Sequence, residues 1–259
     1  MDLRELAITQ TTAGRHPWES ARADAVEFLL RQAGVQPQTR ILDFGCGDSF
    51  LVSHLGKCFG MEQVSAIDRA FTPEVKISLH KQYGAHLRLF DSLPAFEQAG
   101  GTSDLVLLLD VLEHCEKDVE TLAELVRSPA VAPGAGFLIT VPAFQGLFSK
   151  HDDFLGHYRR YSLEQMVEVA EASGLQVEKR SYFFSSLLAP RALQVALERM
   201  GLSKQEAKGL GGYTPRKFVD SAIRGVLLAD FRVCEGLSRL GVHVPGLSCM
   251  VFARKMRSV

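Results

Sequence analysis

Short, wholly apolar runs alternate along this chain with stretches whose apolar residues recur every three or four positions. The runs predict strands at Arg40–Phe44, Val64–Asp68, His86–Phe90, Asp104–Leu109 and Gly136–Val141. Leu105–Leu109 is apolar on consecutive residues, as expected of a central parallel strand covered on both faces. Helical spacing between the runs predicts helices around Phe50–Leu55, Pro73–Tyr83 and Lys117–Arg127. The last of these carries Val119, Leu122, Ala123 and Val126 on one face. Such alternation implies an α/β fold with a doubly wound, mostly parallel sheet.

The flanks are less regular. Residues 1 to 17 are polar and without period. From Trp18, the positions Ala21, Ala25, Phe28 and Leu29 predict a helix ending at Gly34, which covers a sheet edge or the mouth of a ligand site. Trp18 reads as a packing residue, with ligand contact as the alternative. Pro133-Gly134 marks a turn before the fifth strand. Residues 144 to 161 have neither period. Ser162 and Gln165 form a capping box for a helix ending near Gly174, and Leu175–Tyr182 is a sixth strand. A further helix and a glycine-rich link, Gly209–Gly212, follow. Thr214 and Pro215 then open a helix whose Phe218, Ala222, Val226, Phe231 and Leu237 face the body, and Ser248–Ala253 is the last strand.

Composition narrows the function classes. A length of 259 residues suits one domain with inserts, and a net charge of -1 gives no electrostatic case for nucleic acid or an anionic membrane. Five cysteines without a C-x-x-C pair read as reduced thiols. No secretion signal stands at the N-terminus, and Arg191 interrupts the longest apolar stretch, Tyr182–Leu197. The chain is expected to be cytoplasmic, and a homodimer is compatible with it.

Candidate chemistry begins at Ile41-Leu42-Asp43-Phe44-Gly45-Cys46-Gly47-Asp48-Ser49-Phe50, a strand, a tight glycine turn and a helix N-terminus. Glycine there tolerates positive φ and admits a ligand to the backbone. A dinucleotide fingerprint needs a third glycine where Phe50 stands. That argues against a nicotinamide-dependent oxidoreductase, as does the lack of a Tyr-x-x-x-Lys pair. The spacing is instead D-x-G-x-G, with acids at later strand ends: Asp68, Asp91 and Asp110.

In this joint spacing the chain resembles the class I S-adenosylmethionine-dependent methyltransferases, from about Gln36 to Arg180 and again near the C-terminus. The likeness is to the type 11/12 bacterial small-molecule enzymes. It implies a Rossmann-like sheet of about seven strands whose last strand runs antiparallel beside the fifth. It also implies S-adenosylmethionine as cofactor. Asp43, Gly45 and Gly47 would cradle its methionine end, with Ser49 where the family often has glycine. Asp68 would meet the ribose, with Arg69 also binding the cofactor, Asp91 and Ser92 the adenine, and Leu109 and Asp110 the methionine moiety.

The stretch His157-Tyr158-Arg159-Arg160-Tyr161 resembles a bacterial subset, some of which act on lipid-linked, saccharide or natural-product acceptors. Asp110-Val111-Leu112-Glu113-His114 is similar to quinone and small-molecule methyltransferases. The expected activity is methyl transfer to an oxygen or nitrogen of a small acceptor, with His157, His114 and Tyr158 as catalytic candidates. Phe148, His151, His157, Arg159 and Arg160 are the acceptor-binding candidates. Arg159 and Arg160 either bind an acceptor anion or pair with Asp152 and Asp153. No tight ligand pair such as HxxxH occurs, so no metal is expected. A silent cofactor-binding domain is the remaining alternative. The expected organisation is one domain, 1–259. Within it are a helical cap (1–36), a core (37–183 and 246–259), a lid-like insert (142–161) and a helical insert (184–245).

Overall fold

The computed structural model describes residues 15–60, 64–85, 87–202 and 216–256. Seven strands form one sheet: β1 (Ile41–Phe44), β2 (Val64–Ile67), β3 (Arg88–Phe90), β4 (Ser103–Leu109), β5 (Val131–Pro142), β6 (Leu175–Phe183) and β7 (Ser248–Lys255). Their spatial order is β3-β2-β1-β4-β5-β7-β6. The first five pair in parallel, and β7 lies antiparallel between β5 and β6. The chain winds outward from β1 to β3, then returns to place β4 against the other side of β1. That reversal opens a crevice at the carboxyl ends of β1 and β4, where open α/β sheets bind ligands.

The helices are α1 (Pro17–Gln32), α2 (Phe50–Phe59), α3 (Pro73–Tyr83), α4 (Leu93–Gln98), α5 (Asp118–Arg127), α6 (Lys150–Leu155), α7 (Leu163–Ala172), α8 (Leu188–Arg199) and α9 (Lys217–Ser238). Two apolar cores cover the two faces of the sheet. Val106 and Leu108 of β4 join Leu42, Phe137 and Ile139 on one side, and Leu105 and Leu107 join Ile41 and Leu138 on the other. Successive residues therefore face different cores, which is why the run carries no alternation.

Several boundaries differ from the sequence reading. Pro133-Gly134 lies inside β5 instead of before it. Ser103 pairs with Val131 and Leu105 with Gly136, so the extra residues form an irregularity that accommodates proline. Residues 144 to 161 are not a plain loop. They hold a 3₁₀ turn at Gln145–Leu147 and the short α6, whose capping box joins Ser149 to Asp152. Aspartate in place of the usual Glu or Gln concealed that signal.

The phase of α9 also differs. Phe218 is 93% exposed, and Ala222 and Val226 face solvent, while Leu227, Phe231 and Cys234 are buried and Leu237 half-buried. Packing against α1 sets this face: Phe28 meets Phe231 edge-on at 5.7 Å, and Arg224 pairs with Asp24. The predicted Gly209–Gly212 link and the Thr214-Pro215 cap lie outside the described residues, as does His86 at the start of the third predicted strand. Among the described residues no helix is long and apolar enough to cross a membrane.

Candidate cofactor and acceptor site

The loop after β1 is shaped by its own backbone. Gly45 adopts φ +76°, and its N–H donates to Ile67 O at 2.8 Å. A Cβ at Gly45 would lie 2.6 Å from Val111 Cγ2, so glycine is required twice over. Gly47 also has positive φ, and its N–H donates to Asp68 Oδ2 at 2.9 Å, tying the first loop to the end of β2. Ala70 N–H donates to the other Asp68 oxygen at 2.9 Å. Ser49 is left-handed at φ 60°, the conformation that glycine adopts without strain. This is the position where the methyltransferases resembled often carry glycine.

The other predicted residues follow around the same rim. Arg69 is exposed just beyond Asp68. Asp91 is exposed at the end of β3. Lys76 at 2.9 Å and the Ser92 hydroxyl at 3.0 Å hold its carboxyl below the usual range. Ser92 also caps α4. Leu109 is buried at the end of β4. Asp110 follows with φ 58°, accepting from the Thr140 hydroxyl at 3.1 Å and pairing with Arg22 at 2.8 Å.

Arg22 and Glu19 are functional candidates that sequence reasoning missed. Both lie on α1, which closes over the crevice and encloses a cavity of about 50 Å³ bordered by Trp18, Glu19, Arg22, Asp43, Gly45 and Leu109. Glu19 Oε2 and Arg22 Nε are buried there without a hydrogen-bond partner among the described residues. The available signal was charge on the inward face of an otherwise apolar stripe. A second latch runs from Arg15, which pairs with Asp48 and lies 4.3 Å over the Phe50 ring. Burial pushes the Asp43 carboxyl up to about 7, with Arg22 partly offsetting and Asp68 and Asp48 adding to the rise.

Residues 144 to 161, expected on the acceptor side, leave β5 at its carboxyl end. Their ends are pinned together: Phe144 N–H donates to Tyr161 O at 2.8 Å, and Tyr161 N–H to Pro142 O at 3.0 Å. Asp152, fully buried, organises the middle. Its Oδ1 meets Arg160 Nε at 2.8 Å and His157 Nδ1 at 3.0 Å. Its Oδ2 accepts from Ser149 N–H at 3.0 Å and pairs with Arg191 at 3.1 Å. The hydrogen bond to His157 and the Arg160 charge outweigh desolvation and hold its carboxyl far below the usual range.

Arg159 reaches away from Asp152 and Asp153, to Asp118 at 3.0 Å and Glu116 O at 2.6 Å. Arg160 takes the expected pairing with Asp152, so both arginines are engaged in internal ion pairs. The aromatic residues of the segment divide between core and surface. Phe144 stacks on Tyr182 at 5.2 Å, and Tyr161 is buried with its hydroxyl 2.8 Å from Asp118 Oδ2. Tyr158 and Phe154 are 54% and 40% exposed. Phe148 and His151 remain half-buried, and burial followed by the Arg191 charge lowers the His151 pKa. His114 and His157 meet edge-on, ring centroids 4.6 Å apart. Beside them Glu113 is fully buried, and burial followed by the Asp110 charge pushes its carboxyl well up.

A family model described as a methyltransferase domain matches residues 17–180. The chain belongs to that family. The match begins at Pro17, so α1 and its Arg22 are part of the methyltransferase domain, whereas the sequence likeness was placed from about Gln36. No curated protein matches the methyltransferase in sequence. In fold it is similar to the [4+2]-cyclase SpnF, at 17% identity over 96% of this chain and 86% of that one, with a TM-score of 0.56. A second likeness is to Haemonchus contortus phosphoethanolamine N-methyltransferase 2, solved with phosphomonomethylethanolamine and S-adenosylhomocysteine. Identity there is 19% over 91% of this chain and 53% of that one, with a TM-score of 0.51. A third is to StiE O-MT residues 961-1257, at 15% identity over 91% and 74% of the two chains and the same TM-score of 0.51. One of the three is named a cyclase, so the shared fold does not by itself specify the reaction.

Sheet order and the antiparallel β7 agree with the class I Rossmann-like expectation. The residues also fit S-adenosylmethionine, the cofactor of this class. The mouth offers a glycine turn that a Cβ would block, carboxylates at three successive strand ends, and buried polar atoms of Arg22 and Glu19 that lack partners among the described residues.

Proposed function

We propose that this methyltransferase moves a methyl group from S-adenosylmethionine to an oxygen or nitrogen of a small organic acceptor. The Arg22 and Glu19 atoms over the Asp43–Gly45 loop, buried and unpartnered among the described residues, carry this reading, because they suit a zwitterionic ligand end. Asp43 suits the ligand's ammonium and Arg22 its carboxylate. Asp68 suits the ribose hydroxyls, and Asp91 with Ser92 suits the adenine. When bound, the cofactor supplies a methyl group on a sulfonium, open to in-line attack.

The chain's own residues align the acceptor and exclude water. A cavity of about 50 Å³ is far below the ~300 Å³ and more of ordinary ligand pockets. Ligand contacts there would take the place of the Arg22–Asp110 and Arg15–Asp48 pairs. Residues 144 to 161 act as the acceptor-side wall, with Phe148, His151 and His157 lining it and the Asp152 network holding it rigid. Incubation with methyl-labelled S-adenosylmethionine and a cell extract tests the reading. A labelled small molecule is expected with the native protein and not with Asp68→Ala. Label confined to protein or RNA would overturn the small-acceptor assignment.

A further inference from the structure

The sequence offered no ligand pair at metal-binding spacing, but the fold assembles one from separated segments. Glu113 and His114 stand on a 3₁₀ turn after β4, and His157 follows α6, on the far side of β5. One carboxylate oxygen and one nitrogen from each imidazole lie within 4.8 Å of one another. Ligands about 2.1 Å from a single ion sit roughly 3–3.5 Å apart, so small side-chain rotations bring this set to coordinating distance.

A second observation points to a ligand. Glu113 is 0% exposed, and neither of its carboxylate oxygens has a hydrogen-bond partner among the described residues. A buried carboxylate left unsatisfied is costly unless something outside the chain completes it. The surroundings resemble those of a prepared ligand set. Asp152 takes His157 Nδ1 at 3.0 Å, leaving Nε2 for an ion, and Arg160, Arg191 and Ser149 fix that aspartate in turn. Carboxylates of this kind orient and strengthen metal-bound imidazoles. Tyr158 N–H donates to Glu113 O at 2.8 Å, which locks the two segments together.

We propose that Glu113, His114 and His157 bind one divalent transition-metal ion of the zinc, cobalt or manganese type. Two imidazoles and one carboxylate suit such ions better than magnesium or calcium, which prefer all-oxygen sets. Three protein ligands leave open positions. On the methyl-transfer reading, an acceptor oxygen would occupy one of them and be acidified there. That role rests on the proposed function, whereas binding itself does not.

The test therefore measures binding by the full chain. Cobalt chloride is titrated into metal-free protein and followed by visible absorption and calorimetry. Zinc chloride is followed by thermal melting. One ion per chain is expected. Glu113→Gln and His114→Ala should each weaken binding by about 100-fold, and Asp152→Asn by about 10–100-fold. Glu27→Gln, in a separate Glu27–His54–Cys58 group, should change nothing. Should Glu113→Gln fail to fold, the half-buried His114→Ala still decides the matter. No binding up to about 1 mM, or binding unchanged in His114→Ala, would overturn the proposal.

Discussion

Asp43→Asn isolates the most heavily perturbed carboxyl at the loop after β1. Asp43 is 2% exposed, and burial raises its pKa to about 7 from an ordinary value near 3.8. A carboxyl whose folded pKa is raised stabilises the fold while protonated. That stability is complete below the unfolded pKa and is lost as pH rises through the folded one. The pH window is therefore about 4 to 7, the slope about 1.4 kcal/mol per pH unit and the total on the order of 4 kcal/mol. Asparagine keeps the shape and cannot ionise. The ligand-free variant should match the native protein near pH 4 and exceed it increasingly up to pH 7, with no further gain above. Urea unfolding of both proteins at pH 5, 6, 7 and 8 measures the difference. S-adenosylhomocysteine, whose ammonium suits an ionised Asp43, should bind the native protein with release of up to one proton at pH 6. A stability difference independent of pH, or equal proton release by the asparagine variant, would refute this account of the loop.

Gly45→Ala should cost roughly 2–4 kcal/mol in denaturant unfolding. The side chain meets Val111 Cγ2 at 2.6 Å in a backbone with φ +76°, and Val111→Ala should recover only the steric part. Asp152→Ala should destabilise by about 3–5 kcal/mol, because it strands Arg160 and Arg191 in a buried setting; thermal or urea unfolding checks it. Arg22→Ala should weaken cofactor binding by about 1–3 kcal/mol in calorimetry while changing unfolding stability little.

The sheet was legible because β4 and its neighbours are apolar on consecutive residues, and turn glycines separate them from amphipathic helices. The loop after β1 was legible for a related reason. Gly45 and Gly47 answer to backbone conformation and close contact, which local sequence records. What stayed hidden depends on tertiary neighbours. The inward phase of α9 follows from Phe28 and Phe231 meeting, and no periodicity within the helix encodes that meeting. Arg159 and Arg160 are adjacent in sequence yet serve different acids, Asp118 and Asp152. Arg22 could be identified only once α1 was seen to close over Asp110. The His114–His157 pair was invisible because all of β5 lies between its members.

The central claim is that the crevice between β1 and β4 takes S-adenosylmethionine. Titration calorimetry of the native protein with S-adenosylmethionine, its demethylated product and NAD tests it most directly. The account predicts one site per chain for the first two, weakened by about 1–3 kcal/mol in Asp68→Ala, and no comparable heat from NAD. Tight NAD binding with no response to S-adenosylmethionine would contradict it.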